Sequence, residues 1–458
     1  MLLSLHWFWL VLVLYLTNPG EVEAQFPRPC TTPEARNNRT CCPLFNGSIC
    51  GTSSGRGVCV KLPQMHPSRP VDHWVGWHRY FFNSACMCLG NYDGFDCGQC
   101  LPGFRGPQCE DPHVVERKEI TDMTDSERET FLSSLHQAKQ SHSSRYMILS
   151  SNDTTVEGNY EFHNSTVYDV YVWMHDYAAK TIPVQDIHSA HQGPAFVFWH
   201  RLFLLFIERE IRELTGNQDF YIPYWDWTRT DHCNICTNEY LGAVDRYGRI
   251  ESASLFSNWM ITCLFHRDAS IICDPSNEND PKYLIRNPGR DTSYKTLPTT
   301  KDVEDTLAIP DYDTPPYDKT SNNSFRNTLE GYKSPDDPRH SKTSMHKLAH
   351  HYLLGTMTRK FTAANDPLSL VLHSFLDKIF EDWFKEHPNA TYPDSDEVTP
   401  AQRAKAFMAP FFPLRTNDYF WGKPIQDLGY SYREHSLPHS GAGSRPARQG
   451  EETAQSPL

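Results

Sequence analysis

Hydrophobic and polar positions divide this chain into stretches of different character. The first residues, MLLSLHWFWLVLVLYLTN, form one apolar run followed by small residues from Gly20 to Ala24. The run is shorter than the roughly 20 residues that span a bilayer, and it reads as a secretory signal over residues 1–24, cleaved near Ala24. Between Cys30 and Cys109 apolar periodicity is weak and Gly and Pro are frequent. From about Pro112 to Arg433 the pattern becomes helical. Apolar positions at a 3.6-residue period predict helices over Val167 to Lys180, Phe196 to Thr215, Thr343 to Thr358 and Leu368 to Glu386. The second carries FLLFIEREIREL, with charges paired at i,i+4, and the fourth aligns Leu370, Phe375, Leu376, Ile379, Phe380 and Trp383. Long stretches dense in Pro, Asp and Asn, such as Asp274 to Asp318, exceed the usual loop length and are expected to shape a functional rim. The tail from Ser436 to Leu458, rich in Ser, Pro, Gly and charge, is expected to be disordered. The expected fold is mainly α: a four-helix bundle with long loops, preceded by a small disulfide-rich module. The expected limits are 1–24 signal, 25–111 Cys-rich module, 112–433 helical domain and 434–458 tail.

Composition adds compartment and excludes partners. The 458 residues carry a formal charge of −13, which argues against nucleic acid and anionic membrane surfaces. Ten of the 14 cysteines fall between Cys30 and Cys109, as in a small module stapled by disulfides in an oxidising compartment. Cys86-Met87-Cys88, Cys97, Cys100 and Cys109, with Gly94-Phe95 and Gly103-Phe104, resemble an epidermal-growth-factor-like repeat. A zinc site at Cys97-x2-Cys100 is disfavoured, because oxidation consumes thiolates. Cys233 with Cys236, and Cys263 with Cys273, are expected to form local disulfides. Asn38, Asn46, Asn152, Asn164, Asn322 and Asn389 begin N-x-S/T sequons, which are glycosylated only in the secretory pathway. No second apolar stretch of spanning length appears, so the product is expected to be free of a membrane anchor.

Candidate chemistry lies with the histidines, of which there are 22. His346 and His350 are spaced i,i+4, so both rings leave one helix face a turn apart. His373 sits among core residues of the next helix. His175 lies on the apolar face of the first helix, and His191 and His200 flank the apolar GPAFVFW. One buried histidine is ordinarily a hydrogen-bonded core residue. Six on four amphipathic helices, divided three and three, point to metal. Imidazole-only donation suits copper, zinc or iron, with open positions for a small ligand. A copper pair is the natural choice and zinc the runner-up. His188 is the nearest decoy.

These residues also carry a resemblance. VWMHDY at His175, AHQGPAF at His191 and WHRLFLL at His200, with Pro223-Tyr224-Trp225-Asp226-Trp227, resemble the first copper site of the tyrosinase family. SMHKLAH at His346 and His350, Asn365-Asp366-Pro367 and LHSF at His373 resemble its second. With the Cys-rich module and CNICTNEY at Cys233, the similarity covers nearly all of the chain up to about Tyr432 and looks vertebrate in type. It implies two copper ions, one per three-histidine set, with O2 as co-substrate and a small phenol as substrate. The implied reactions are ortho-hydroxylation of monophenols and oxidation of o-diphenols to o-quinones, the first step of melanin synthesis. The implied setting is a melanosome lumen or secretion, with tyrosinase-related proteins as partners. Glu330 in SFRNTLEGY matches the family glutamate that holds a water near the coppers. Its two readings, general base and structural acid, stand even. Arg201 and Asp226 match charged family positions and are expected to form a buried ion pair.

Departures from the family mark the pocket. Lys347 stands where relatives carry Asn, and an ammonium can only donate; its bland reading is a solvent-facing lysine. His351 follows the second ligand, where the family shapes its pocket rim, turned about 100° away from that ligand. Lys360 and Ser374 occupy positions that vary between activities, as does Tyr332. Lys347, His351, Lys360 and Ser374 are therefore expected to shape the substrate pocket. The alternatives are a zinc-loaded tautomerase-type relative and a catalytically dead or O2-carrying relative.

Overall fold

The computed structural model describes residues 24–62, 81–150, 161–179, 189–262, 264–265, 271–272, 283–333 and 343–433. The signal run, the tail, His188, Asn152 and the pair Cys263 and Cys273 lie outside them.

Two short sheets organise the N-terminal part. Strand β1 (Ala24–Pro27) pairs antiparallel with β5 (His142–Ser150), from Ala24↔Leu149 to Pro27↔Tyr146. Strand β5 pairs in turn with β6 (Glu161–Thr166), with a register shift between His142 and Met147. In the Cys-rich segment β2 (Gly57–Lys61) pairs with β3 (Ser84–Cys88), Gly57 opposite Cys88. Disulfides join Cys30–Cys41, Cys42–Cys59, Cys50–Cys86, Cys88–Cys97 and Cys100–Cys109. Cys97 and Cys100 are thus both oxidised and neither is a zinc ligand. Phe82 and Phe95 of this segment belong to the same buried apolar cluster as Trp199 and Phe203.

Helices build the rest. Helix α1 (Asp125–Gln140) opens on a capping box in which Thr124 and Glu127 satisfy each other's backbone N–H groups. Helix α2 is Val167–Ala179 and α3 is Phe196–Thr215, the latter ended by Gly216 in the left-handed region. The expected loop from 274 to 318 contains α4 (Thr300–Leu307), capped by Thr299 and Asp302. Helix α5 (Phe325–Glu330) stops at Gly331, whose φ is 99°. A Cβ there would stand 2.2 Å from the Ser344 carbonyl oxygen, so glycine is required for the chain to pass this close. Helix α6 (Met345–Leu353) is shorter than its periodicity predicts. Leu354 takes φ 56° and a 3-10 turn over Gly355–Thr358 follows. Helix α7 is Leu368–Glu386, and Asp366 accepts from the Leu368 N–H while a bidentate pair ties it to fully buried Arg286.

Helices α2, α3, α6 and α7 surround the histidines as a bundle. Buried charge fixes α3 against α7. Arg201 pairs with Asp377 at 2.6 Å and with Glu381. Arg117, in β4 (Val115–Arg117), pairs with Glu208 at 3.0 Å and stacks on Tyr430. Asp226 is not Arg201's partner. It accepts from the backbone and hydroxyl of Thr228, starting a short turn. Two acids on α7 face Arg201 directly, and the loop carrying Asp226 does not reach it. The rest of PYWDW braces α7: the Trp225 N–H donates to the Val371 carbonyl at 3.0 Å, and Trp227 packs edge-on to Phe375. Strand β7 (Tyr430–Tyr432) returns to pair in parallel with β4. The described sequon residues Asn38, Asn46, Asn164, Asn322 and Asn389 are all exposed.

Candidate metal centre

Each histidine is delivered by local structure. His175 lies on α2, His200 one turn into α3, His346 and His350 on α6, and His373 on α7. His191 is the exception to the expected helical placement. It sits in the irregular stretch before α3, because Gly193-Pro194 interrupts any helix there. Gln402 holds this stretch: its Nε2 donates to the His191 carbonyl at 2.7 Å, and its Oε1 accepts from the Ala195 N–H at 2.9 Å. A Cβ on Gly193 would stand 2.6 Å from that same Oε1. Nothing in the local sequence pattern could have pointed to Gln402, which is more than 200 positions away.

The six rings form two buried cups. The ligand nitrogens of His175, His191 and His200 lie within 4.8 Å of one another, as do those of His346, His350 and His373. The cups adjoin, for His200 stacks on His373 with ring centres 4.4 Å apart. Phe196 packs edge-on against His200 and leans on His346. In four rings Nδ1 faces a backbone carbonyl: His200 to Phe196 at 2.8 Å, His350 to Met357 at 2.8 Å, His373 to Ser369 at 2.7 Å and His346 to Glu330 at 3.3 Å. Such a nitrogen must donate, which leaves Nε2 as a lone pair aimed inward. Nε2 of His200 and of His350 is buried without a hydrogen-bond partner among the described residues. The Nε2 atoms of His346 and His373 face each other at 3.2 Å. Two lone pairs there repel unless a cation lies between them. The gap suits one ion about 2.0–2.1 Å from each nitrogen. Burial, and then the neighbouring imidazoles, hold His175, His346 and His373 well below the usual histidine range. Burial lowers His350 to about 4. Neutral rings are the form that binds metal.

Beside the cups opens a cavity of about 170 Å³, lined by His175, His191, His346, His350 and His373. Glu330 is part of its wall. Its Oε1 accepts from the Gln192 N–H at 2.7 Å and its Oε2 from Arg326 Nη1 at 3.2 Å. Burial raises its carboxyl to about 7, against the pull of Arg326 and the Gln192 N–H. Arg326 is itself gripped by Asp313, Nε to Oδ2 at 2.9 Å and Nη2 to Oδ1 at 3.0 Å. The i,i+4 spacing of Arg326 and Glu330 was a legible signal for this pair; Asp313 was not. Lys347, His351 and Lys360 line the cavity with Tyr332. Lys347 is half-buried, its Nζ over the Tyr332 ring at 4.6 Å. His351 stacks on Tyr294 at 4.5 Å, outside both cups. Ser374 does not line the cavity. It is fully buried on the opposite side of α7, its hydroxyl donating to the Ile222 carbonyl and its own carbonyl accepting from Tyr432.

Comparison with known proteins places this arrangement. The family described as the common central domain of tyrosinase matches residues 165–386. A tyrosinase of Bos taurus is 37% identical over 444 residues, 90% of this chain and 83% of that protein. The chain belongs to the tyrosinase family. A Gallus gallus tyrosinase is 35% identical, covering 94% of this chain and 85% of its own length. The 5,6-dihydroxyindole-2-carboxylic acid oxidase of Ambystoma mexicanum is 36% identical, with 92% and 85% covered. As a tyrosinase-type oxidase the chain uses copper to oxidise phenols.

Proposed function

We propose that His175, His191 and His200 hold one copper ion and His346, His350 and His373 the second, and that the chain both oxidises o-diphenols to o-quinones and hydroxylates monophenols. The observation that carries this reading is the pair of adjoining buried cups with their lone pairs turned inward. When bound, the copper pair supplies O2 capture and electron exchange with the phenol. The chain supplies the rest. Backbone carbonyls fix four ring tautomers, and the aromatic packing around Phe196 excludes water. Glu330, raised to about 7, is a base matched to neutral pH and takes the phenol proton at its carboxylate. Lys347, His351 and Lys360 shape the mouth. The reaction opens melanin synthesis, in a melanosome lumen or after secretion, beside tyrosinase-related proteins. The five N-terminal disulfides support an oxidising compartment. Among the described residues no helix is long and apolar enough to cross a membrane.

Metal analysis of the purified chain, paired with dopa oxidation followed as quinone colour, tests the reading. His350→Ala is expected to lose one copper and at least 100-fold in turnover, whereas His351→Ala keeps both coppers. Zinc alone in the protein, copper without dopa oxidation, or copper loss in His351→Ala would each overturn it.

A further inference from the structure

The mouth of the cavity has a charge that the proposed chemistry leaves unused. Neutral imidazoles line its floor, and two metal ions held by them leave the site strongly positive. Two ammonium groups, Lys347 and Lys360, are added at the rim, in a chain whose overall charge is −13. Among the described residues that line the cavity the one carboxylate, Glu330, is already engaged by Arg326 and the Gln192 N–H. Lys347 forms no ion pair with any carboxylate among the described residues; Glu330 acts on it from beyond that range. It rests instead on the face of Tyr332. The close pass at Gly331, whose Cβ would meet the Lys347 Cβ at 2.8 Å, sets it there.

Helix geometry aligns this charge with the histidines. Lys347 and His351 are each one residue beyond His346 and His350, so they form a parallel row about 100° around α6. An aromatic ring lying over His346 and His350 would present its substituent to that second row. A half-buried ammonium is less screened by water than one at the surface and acts more strongly on an ion of opposite charge.

We infer that Lys347, with Lys360, is a specificity-determining cation that selects phenols carrying a carboxylate on the ring substituent. This rests on the phenol-oxidase reading for its turnover test but not for its binding test. In the copper-loaded full chain, kcat/KM for 3-(3,4-dihydroxyphenyl)propionate is compared with that for 4-methylcatechol. Lys347→Gln is expected to lower the ratio of the two about tenfold, through KM more than kcat. Lys347→Arg restores the ratio. Separately, calorimetry measures the binding of 3-phenylpropionate, which has no phenol to oxidise, against 3-phenylpropanamide. The acid is expected to bind more tightly, in a manner that depends on Lys347 and weakens with salt.

The outcomes separate the two readings. Catechol oxidation with both the ratio and the acid's binding unmoved by Lys347→Gln overturns this inference and leaves the oxidase standing. No catechol oxidation, with acid binding that depends on Lys347, overturns the oxidase reading and leaves the anion pocket. If circular dichroism shows Lys347→Gln unfolded, Lys360→Gln is run through the same pair of measurements. An unchanged ratio there overturns the inference.

Discussion

At the scale of single residues, the centre is a matter of which nitrogen carries a proton. Four rings give theirs to carbonyls behind them, so the metal-facing atoms are decided by the backbone. Lys347 brings an ammonium to the wall of the cavity. An amide in its place could both donate and accept, and could hold a water against Glu330; an ammonium cannot accept. Lys347→Asn is expected to raise tyrosine hydroxylation relative to dopa oxidation several-fold. Both substrates carry the same carboxylate, so their rate ratio is insensitive to any loss of anion binding. The lag before colour appears, timed with tyrosine, reads this directly, and an unchanged ratio of the two activities would count against water positioning.

At the scale of elements, α3 and α7 are clamped by a buried ionic set. Asp377 receives Arg201 and Arg117, and hydroxyls of Tyr430 and Tyr432 donate to it at 2.7 and 2.8 Å. Burial alone would raise its carboxyl; Arg201, Arg117 and these donors outweigh burial and hold it below the usual range. Removing one member strands the other charges without water. Asp377→Ala is expected to cost about 3–5 kcal/mol, measured by denaturant unfolding of metal-free protein. A loss near zero would mean the set contributes nothing net. The limits of α3 and α7 were legible, because strong apolar periodicity runs between clear stops. The end of α6 was not, since Leu354 and Gly355 leave the helix to approach Ile285, a tertiary contact. His191 was assigned to the site from its place beside GPAFVFW, yet its loop conformation depends on distant Gln402. Arg201 was recognisable as a charge needing a partner, and packing, not sequence order, chose Asp377 over Asp226. Ser374 was misplaced for a similar reason: its neighbour His373 faces the metal cup, and a step of about 100° turns Ser374 to the far side.

At the scale of the molecule, many imidazoles buried in one place make stability depend on pH. Their folded pKa values lie below the unfolded value of 6.5. The folded chain therefore binds fewer protons than the unfolded chain as pH falls. This contribution is complete above about pH 6.5 and is lost as pH falls toward the His350 value of about 4. Carboxyls raised by burial oppose it, Glu330 to about 7 and Glu119, Asp226, Asp313 and Glu381 in the same direction, but the five imidazoles carry the balance between pH 7.5 and 5, the interval that holds their unfolded value of 6.5. Metal-free protein is expected to melt several degrees lower at pH 5 than at pH 7.5. Copper should raise the midpoint more at pH 7.5 than at pH 5, because protons compete for the same nitrogens. Melting temperatures that are flat between these values would contradict the buried-imidazole account. The parallel pairing of Val115–Arg117 with Tyr430–Tyr432 has a consequence for biosynthesis. A ribosome releases residue 115 long before residue 430, so the pairing that ties these two segments together is drawn only after more than 300 further residues have been made. Until then the nascent histidines stand open, and a metal donor working alongside synthesis meets an easier target than one arriving after the fold has closed.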